Sequence, residues 1–369
     1  MTPPFRRLTG DERGSTIVFA MLLLCGFLVM AVAGLVSATS DLKVSRNYST
    51  GAQALLSAEG GILHAQKVVN DRGVLRFDTD VVSRWSTIFG AGAVTIPGHA
   101  GLTYTVGAGN DPVSPAAFMI LTSEGTAPNE SRRTIEARLA VDGVFTPGAI
   151  YLPDPGVSSS FQGNAFLVDG NDRRLNGAAG ANPAVPGVAT ATTQAATSVA
   201  GALNHVQKDN VIGLGGTESV YRAGGPDIAR IRDEIVPGIL AQPGVVTNPT
   251  LRGNDVFGTT LAPTITYFSA DTTLNGTVNG AGILIVDGGL TINGNFTFTG
   301  LVVVRGSTDI TSVSGNSTLL GALWTTDLAL RVGGSASVTY SREALALVTN
   351  IGLGNLLPQR VRAVAWRQL

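Results

Sequence analysis

From Ser15 to Ala38 the chain runs through 24 residues without a charge, STIVFAMLLLCGFLVMAVAGLVSA. A helix of that length reaches roughly 36 Å, enough to cross the ~30 Å hydrocarbon core of a bilayer. Nothing polar interrupts the stretch as it would in the buried helix of a soluble domain, so it reads as a membrane segment. Arg6, Arg7 and Arg13 stand before it, and basic residues on a short N-terminal flank favour a cytoplasmic N-terminus with the rest of the chain outside. A cleaved secretory signal is the rival reading. Val36-Ser37-Ala38 has the small-residue cleavage pattern, although the apolar run exceeds the usual ~7–15 residues.

The helical pattern continues past the membrane. No proline occurs between Asp41 and Asn70, and Tyr48, Leu55, Ile62 and Val69 recur every seven residues. Gly51, Ala54, Ala58, Gly61 and Ala65 form a small-residue stripe along which another helix can approach closely. Asn70-Asp71-Arg72-Gly73 is the expected stop, with Gly73 free to adopt the left-handed cap conformation. One helix over Ser15–Asn70 would be roughly 84 Å long. Such a rod makes sense half in lipid and half docked on a globular domain.

Glu12-Arg13-Gly14-Ser15, the apolar run, and Ala54-Leu55-Leu56-Ser57-Ala58-Glu59-Gly60-Gly61 together resemble type IV pilins, most closely the PilX-type minor pilins and pilus-assembly proteins. The resemblance covers residues ~10–70. It implies a leader over 1–14, cut by prepilin peptidase between Gly14 and Ser15 at the cytoplasmic face, and a helix over 15–72 kept on the mature protein as an assembly handle. It also implies partners: other pilin subunits, the pilus assembly machinery and the inner membrane. Major pilins carry a glutamate at the fifth mature position, where this chain has Phe19. Unpaired charge is costly in an apolar filament core, so its absence suggests a subunit with few such neighbours, at a tip or in a priming complex. Phe19, Gly51, Ala54, Ala58, Glu59 and Gly61 are the expected helix-assembly residues. Glu59 has two open readings, pairing across subunits or facing water at the top of the rod.

Beyond the helix the pattern turns to strands. Over 73–145, Leu102–Val106 and Thr134–Val141 alternate around the apolar run Phe118–Thr122, which predicts a small antiparallel β domain packed on the distal half of the helix. Residues 146–350 repeat. Gly282-Ile-Leu-Ile-Val-Asp-Gly288, Gly300-Leu-Val-Val-Val-Arg-Gly306 and Gly321-Ala-Leu-Trp-Thr-Thr-Asp327 begin 18 and 21 residues apart. Leu274-Asn-Gly276, Ile292-Asn-Gly294, Gly315-Asn316 and Gly333-Gly334 keep a second register. Periods near 20 with Gly/Asn corners predict a β-solenoid whose coils stack, with polar ladders outside. Gly148–Leu152 and Gly163–Gly170 echo the pattern as earlier coils. An insertion is expected over 173–260, with helices at Thr192–Lys208 and at Asp227–Val236 ahead of the breaker Pro237. Residues 351–369 are expected to close the fold with a strand at Arg360–Arg367 covering a solenoid edge. The fold class is α+β and mostly β, and a plain β-sandwich is the competing architecture for the repeating region.

Little in the chain points to catalysis. Charged residues are 14% of the sequence and the net charge is −1, which excludes a nucleic-acid binder that works by releasing counterions from phosphate. One cysteine (Cys25) and three histidines (His64, His99, His205) exclude a disulfide framework and a Cys/His zinc site. Cys25 lies in the apolar run without a lipobox, His64 on the long helix, His99 in a loop and His205 on an insertion helix. His205 lies near Lys208 and Asp209 and His64 beside Glu59, but no nucleophile elbow or paired-carboxylate spacing accompanies either. Gly213-Leu-Gly-Gly216 lacks a Walker lysine. Asp169-Gly-Asn-Asp172 offers oxygen ligands to calcium, but the spacing fits neither the EF-hand nor the nonapeptide repeat, so a turn is the stronger reading and Asp169 and Asp172 are weak metal candidates. No cofactor and no enzymatic activity are expected. The chain reads as a pilus or pseudopilus subunit, single-pass in the inner membrane or extracellular once assembled, presenting its solenoid to a surface or glycan ligand. The alternative is a secreted or membrane-anchored β-helix protein that binds or cleaves polysaccharide.

Overall fold

The structure, a computed structural model, describes residues 12–144, 146–312, 315–332, 334–349, 351 and 357–369. Most of the expected 1–14 leader, and Gly333 of the second glycine register, lie outside the described residues. Three parts follow one another: a long apolar helix, a small antiparallel sheet, and a β-solenoid with helical insertions. These are the parts the sequence predicts.

Helix α1 (Glu12–Arg72) is unbroken over 61 residues, or about 90 Å. It stops where expected. Gly73 takes φ 70° and donates its N–H to the Val69 carbonyl at 2.9 Å, which satisfies one of the carbonyls a helix end leaves open.

The small sheet runs in the order Val94–Thr95, Thr103–Asn110, Phe118–Ala127, Ser131–Val144, Gln359–Gln368, with every pair antiparallel. Along Phe118–Ala127 burial alternates at every residue, so Met119, Leu121, Ser123, Gly125 and Ala127 all face α1. The last strand corrects an expectation. The tail closes this sheet rather than covering a solenoid edge, because it pairs with Ser131–Val144. α1 also reaches it directly, Asn70 Oδ1 accepting from the Val361 N–H at 2.7 Å, and just past the helix the Val74 and Gln359 backbones exchange two bonds.

The solenoid is built from parallel strands in the predicted registers. Gly282 pairs with Gly300 and Gly300 with Gly321, while Gly276 pairs with Gly294. The glycines stack into columns because nothing larger fits. A Cβ on Gly321, at φ 140°, would lie 1.9 Å from the Gly300 carbonyl oxygen, and one on Gly300 would lie 2.1 Å from that of Gly282. Between the columns Ile283–Val286 and Leu301–Val304 are buried on both faces, as in parallel strands that helices cover. Asn293 donates to Asn275 at 3.3 Å on the outside, while the Thr308–Thr325 hydroxyl pair at 2.8 Å is buried.

The order of the stack differs from the order of the chain. Ile150–Leu152 pairs with Asn316–Val332 on one side and Val188–Thr190 on the other, and Val220–Arg222 follows. The early strands therefore stack on the last long coil rather than on its first. Part of 173–260 belongs to the stack itself, since Val188–Thr190 and Val211–Gly213 are two of its strands. A crossover over residues 228–240 links the ends. It begins at Asp227, whose side chain accepts from the Arg230 N–H, and contributes Ile231, Ile235 and Ile239 to the core. Pro237 does not break it. The π-helical turn Ile231–Ile235 precedes an α-helical segment, Val236–Leu240, and leaves the proline in the first turn, where a missing N–H costs little.

Candidate functional site

The two halves of α1 define the site. Over residues 16–49 every side chain is exposed, including Phe19 at 65% and Leu35 at 68%. One helix of the described chain, within Thr16–Arg72, is long and apolar enough to cross a membrane, or to serve as a signal sequence. Cys25 is an exposed thiol on this half.

From Thr50 on, the helix is docked. Gly51, Ala54, Ala58, Gly61 and Ala65 are all buried, and the expected seat for another helix is taken by the chain's own sheet. The approach is at backbone distance. A Cβ on Gly125 would lie 2.1 Å from the Ala54 carbonyl oxygen, and one on Gly61 2.3 Å from the Ser123 hydroxyl. Of the heptad residues, Ile62 and Val69 join the core while Tyr48 stays exposed at 82%. Glu59 is half-buried at the rim of a shallow groove between α1 and the tail strand, beside Leu63 and the exposed Trp366.

The C-terminal end of α1 is fastened by buried charge. Arg230, from the crossover, donates to Asp80 Oδ2 at 2.6 Å, to the Gly73 carbonyl at 2.9 Å and to the Arg72 carbonyl. Arg72 adds a bond to Asp80 Oδ1 at 3.0 Å. A guanidinium over the last carbonyls of a helix complements both the open acceptors and the helix dipole. Burial pushes the Arg230 pKa down and the Asp80 charge opposes that shift. Burial raises Glu234, but its pairs with Arg84 at 2.6 Å and with Arg230 outweigh this and hold its carboxyl below the usual range. The helix is thus tied to the solenoid as well as to the small sheet. The sequence places Arg230 on a predicted helix but gives no sign of a partner 150 residues away.

The remaining candidates stay apart from one another. Exposed His64 shares a 2.8 Å hydrogen bond with the Tyr104 hydroxyl and packs on Phe89. His99 is an exposed loop residue, and His205 opens a short helix capped by Asn204. Asp169 accepts from the Asn171 backbone and amide and from Arg173. Asp172 accepts from the Asn182 backbone and amide and from the Arg342 N–H. Both carboxylates accept N–H donors on each oxygen, and these bonds pin two turns. Among the described residues, no group of three or more His, Cys, Asp or Glu side chains converges to hold a metal.

No protein-family model matches the sequence, and no curated protein matches it. Among solved structures, the competence-associated pilin ComZ from Thermus thermophilus is similar over 87% of this chain and 97% of its own, at 14% identity and a TM-score of 0.27.

Proposed function

We propose that this protein is a minor pilin-like subunit of a type IV pilus or related filament, and that its work is assembly and display rather than catalysis. The observation that carries the reading is a single uninterrupted helix, apolar and exposed over one half and fastened to a folded head over the other. Such a helix leaves lipid at little cost when packing against sister helices replaces contact with acyl chains. The small-residue stripe is already occupied by the sheet, so the face left for neighbours is the exposed one that carries Phe19. Prepilin peptidase would release Ser15 as the mature N-terminus, and the solenoid would be carried outward as a rigid surface.

Mass spectrometry of the native protein tests this. A mature chain starting at Ser15, recovered in sheared filaments and lost from them when Gly14 is replaced by a bulky residue, is the expected result. A chain starting at Thr39 would discard the apolar half and leave a secreted β-helix binder in its place.

A further inference from the structure

A cavity of about 490 Å3 opens where the end of the small sheet meets the solenoid. It is remote from the apolar half of α1, and an inference about it holds whether or not the chain enters a filament. Three guanidiniums line it, from Arg222, Arg342 and Arg360, against one carboxylate, Asp142. That carboxylate is already engaged, with Oδ1 3.2 Å from Arg362 Nε and Oδ2 4.0 Å from Arg342. Arg342 is fixed in place, donating to Asn182 Oδ1 at 2.8 Å and to the Asp142 carbonyl. Arg360 is exposed yet ringed by protein, and that surrounding, with the charge of Arg342, pushes its pKa down against the opposing pull of Tyr340, Asp71 and Asp142. Arg222 is exposed and spends only its Nε, on the Ala191 carbonyl at 3.4 Å, so its terminal nitrogens are unengaged among the described residues. Cations crowded in this way favour an anion, and guanidinium forks suit a carboxylate.

The space also calls for more than a lone ion. Its volume lies within the ~300–1,000 Å3 of small-molecule sites. Prolines and short aliphatic side chains wall it, and Tyr221, 41% exposed, presents a ring at its edge. Carbon–hydrogen faces of a sugar ring pack on such surfaces while the hydroxyls meet guanidinium donors. We propose that this cavity binds an acidic saccharide, with its carboxylate between Arg342 and Arg360 and its ring against Tyr221.

The test is calorimetric titration of the full chain in detergent micelles with digalacturonate, with the neutral disaccharide of the same linkage, and with acetate and inorganic phosphate. Digalacturonate should bind at least about tenfold more tightly than each of the others, and added salt should weaken it. Arg360→Gln and Arg222→Gln should each weaken binding about tenfold, the latter with the melting temperature unchanged, and Tyr221→Ala should do so without changing the salt dependence. Equal binding of the neutral sugar overturns the charge argument. Binding of acetate or phosphate as tight as that of the sugar acid reduces the site to an anion hole and overturns the saccharide. No binding of digalacturonate, or full binding by the three variants, overturns the site.

Discussion

The two halves of α1 share one backbone and one helical geometry, yet they solve opposite problems. Residues 16–49 have nothing from the chain against them and carry bulky apolar side chains as far as Val36, whereas residues 50–72 bury glycine and alanine against a sheet. Side-chain size separates the two fates. Small residues allow backbone-to-backbone contact with a rigid partner in the same molecule, and large ones leave an irregular apolar surface suited to acyl chains or to many similar helices. The docked half must therefore answer to point substitutions in the head, and the exposed half should not.

The sharpest way to break that contrast is at the fastening. Asp80→Ala removes the buried carboxylate from the Arg230 guanidinium and leaves it only the half-buried Glu234, and calorimetric unfolding of the head should show a loss of about 3 kcal/mol with membrane association unchanged. Gly125→Val forces a side chain into the backbone of α1 and should cost about 3 kcal/mol by denaturant titration. Gly60→Ala is its control. A Cβ there meets nothing within 4 Å, and helix propensity should make the change stabilising by up to about 1 kcal/mol. Leu24→Arg acts on the other half alone. It should oppose membrane insertion by about 2.5–3.5 kcal/mol, read by membrane fractionation, while the melting temperature of the head stays put.

Acid sharpens the comparison further. The Asp111 carboxyl is held below its usual range by the Ser114 N–H, then, against the cost of burial, by Arg138 at 2.7 Å. A folded pKa below the unfolded one contributes stability that is complete above about pH 4 and lost as pH falls through the folded value. Head stability should decline below that point, and Asp111→Asn should flatten the decline. The smallest effect lies in the solenoid. Thr192 caps the helix Thr193–Ala202 by accepting from the Ala195 N–H, and Thr192→Ala should cost about 1 kcal/mol in thermal melts while leaving both halves of α1 as they were.

What could be read from the sequence follows the range of the interactions involved. The end of α1 at Gly73, the glycine columns at 282, 300 and 321, and the helix starts at Thr192 and Asp227 depend on neighbours in sequence or on a fixed repeat, and each shows in local pattern. The partner of the small-residue stripe does not, because Gly51 to Ala65 would look the same facing a helix or a sheet. Nor does the destination of the tail, whose alternation specifies a strand but not which edge receives it. The cavity between the head's two parts is hidden for the same reason, since Asp142 and Arg360 of the small sheet meet Arg222 and Arg342 only in the assembled fold.

That order bears on how the molecule is made. Ile150–Leu152 finds one of its two neighbours more than 170 residues downstream, and the fifth strand of the small sheet is Gln359–Gln368. Contacts of such separation form slowly, and during synthesis they have to wait for the distal coils to leave the ribosome. A product cut short before that strand would carry the same greasy rod with its head unzipped, so the seam is sewn only after both sides of the head have been made.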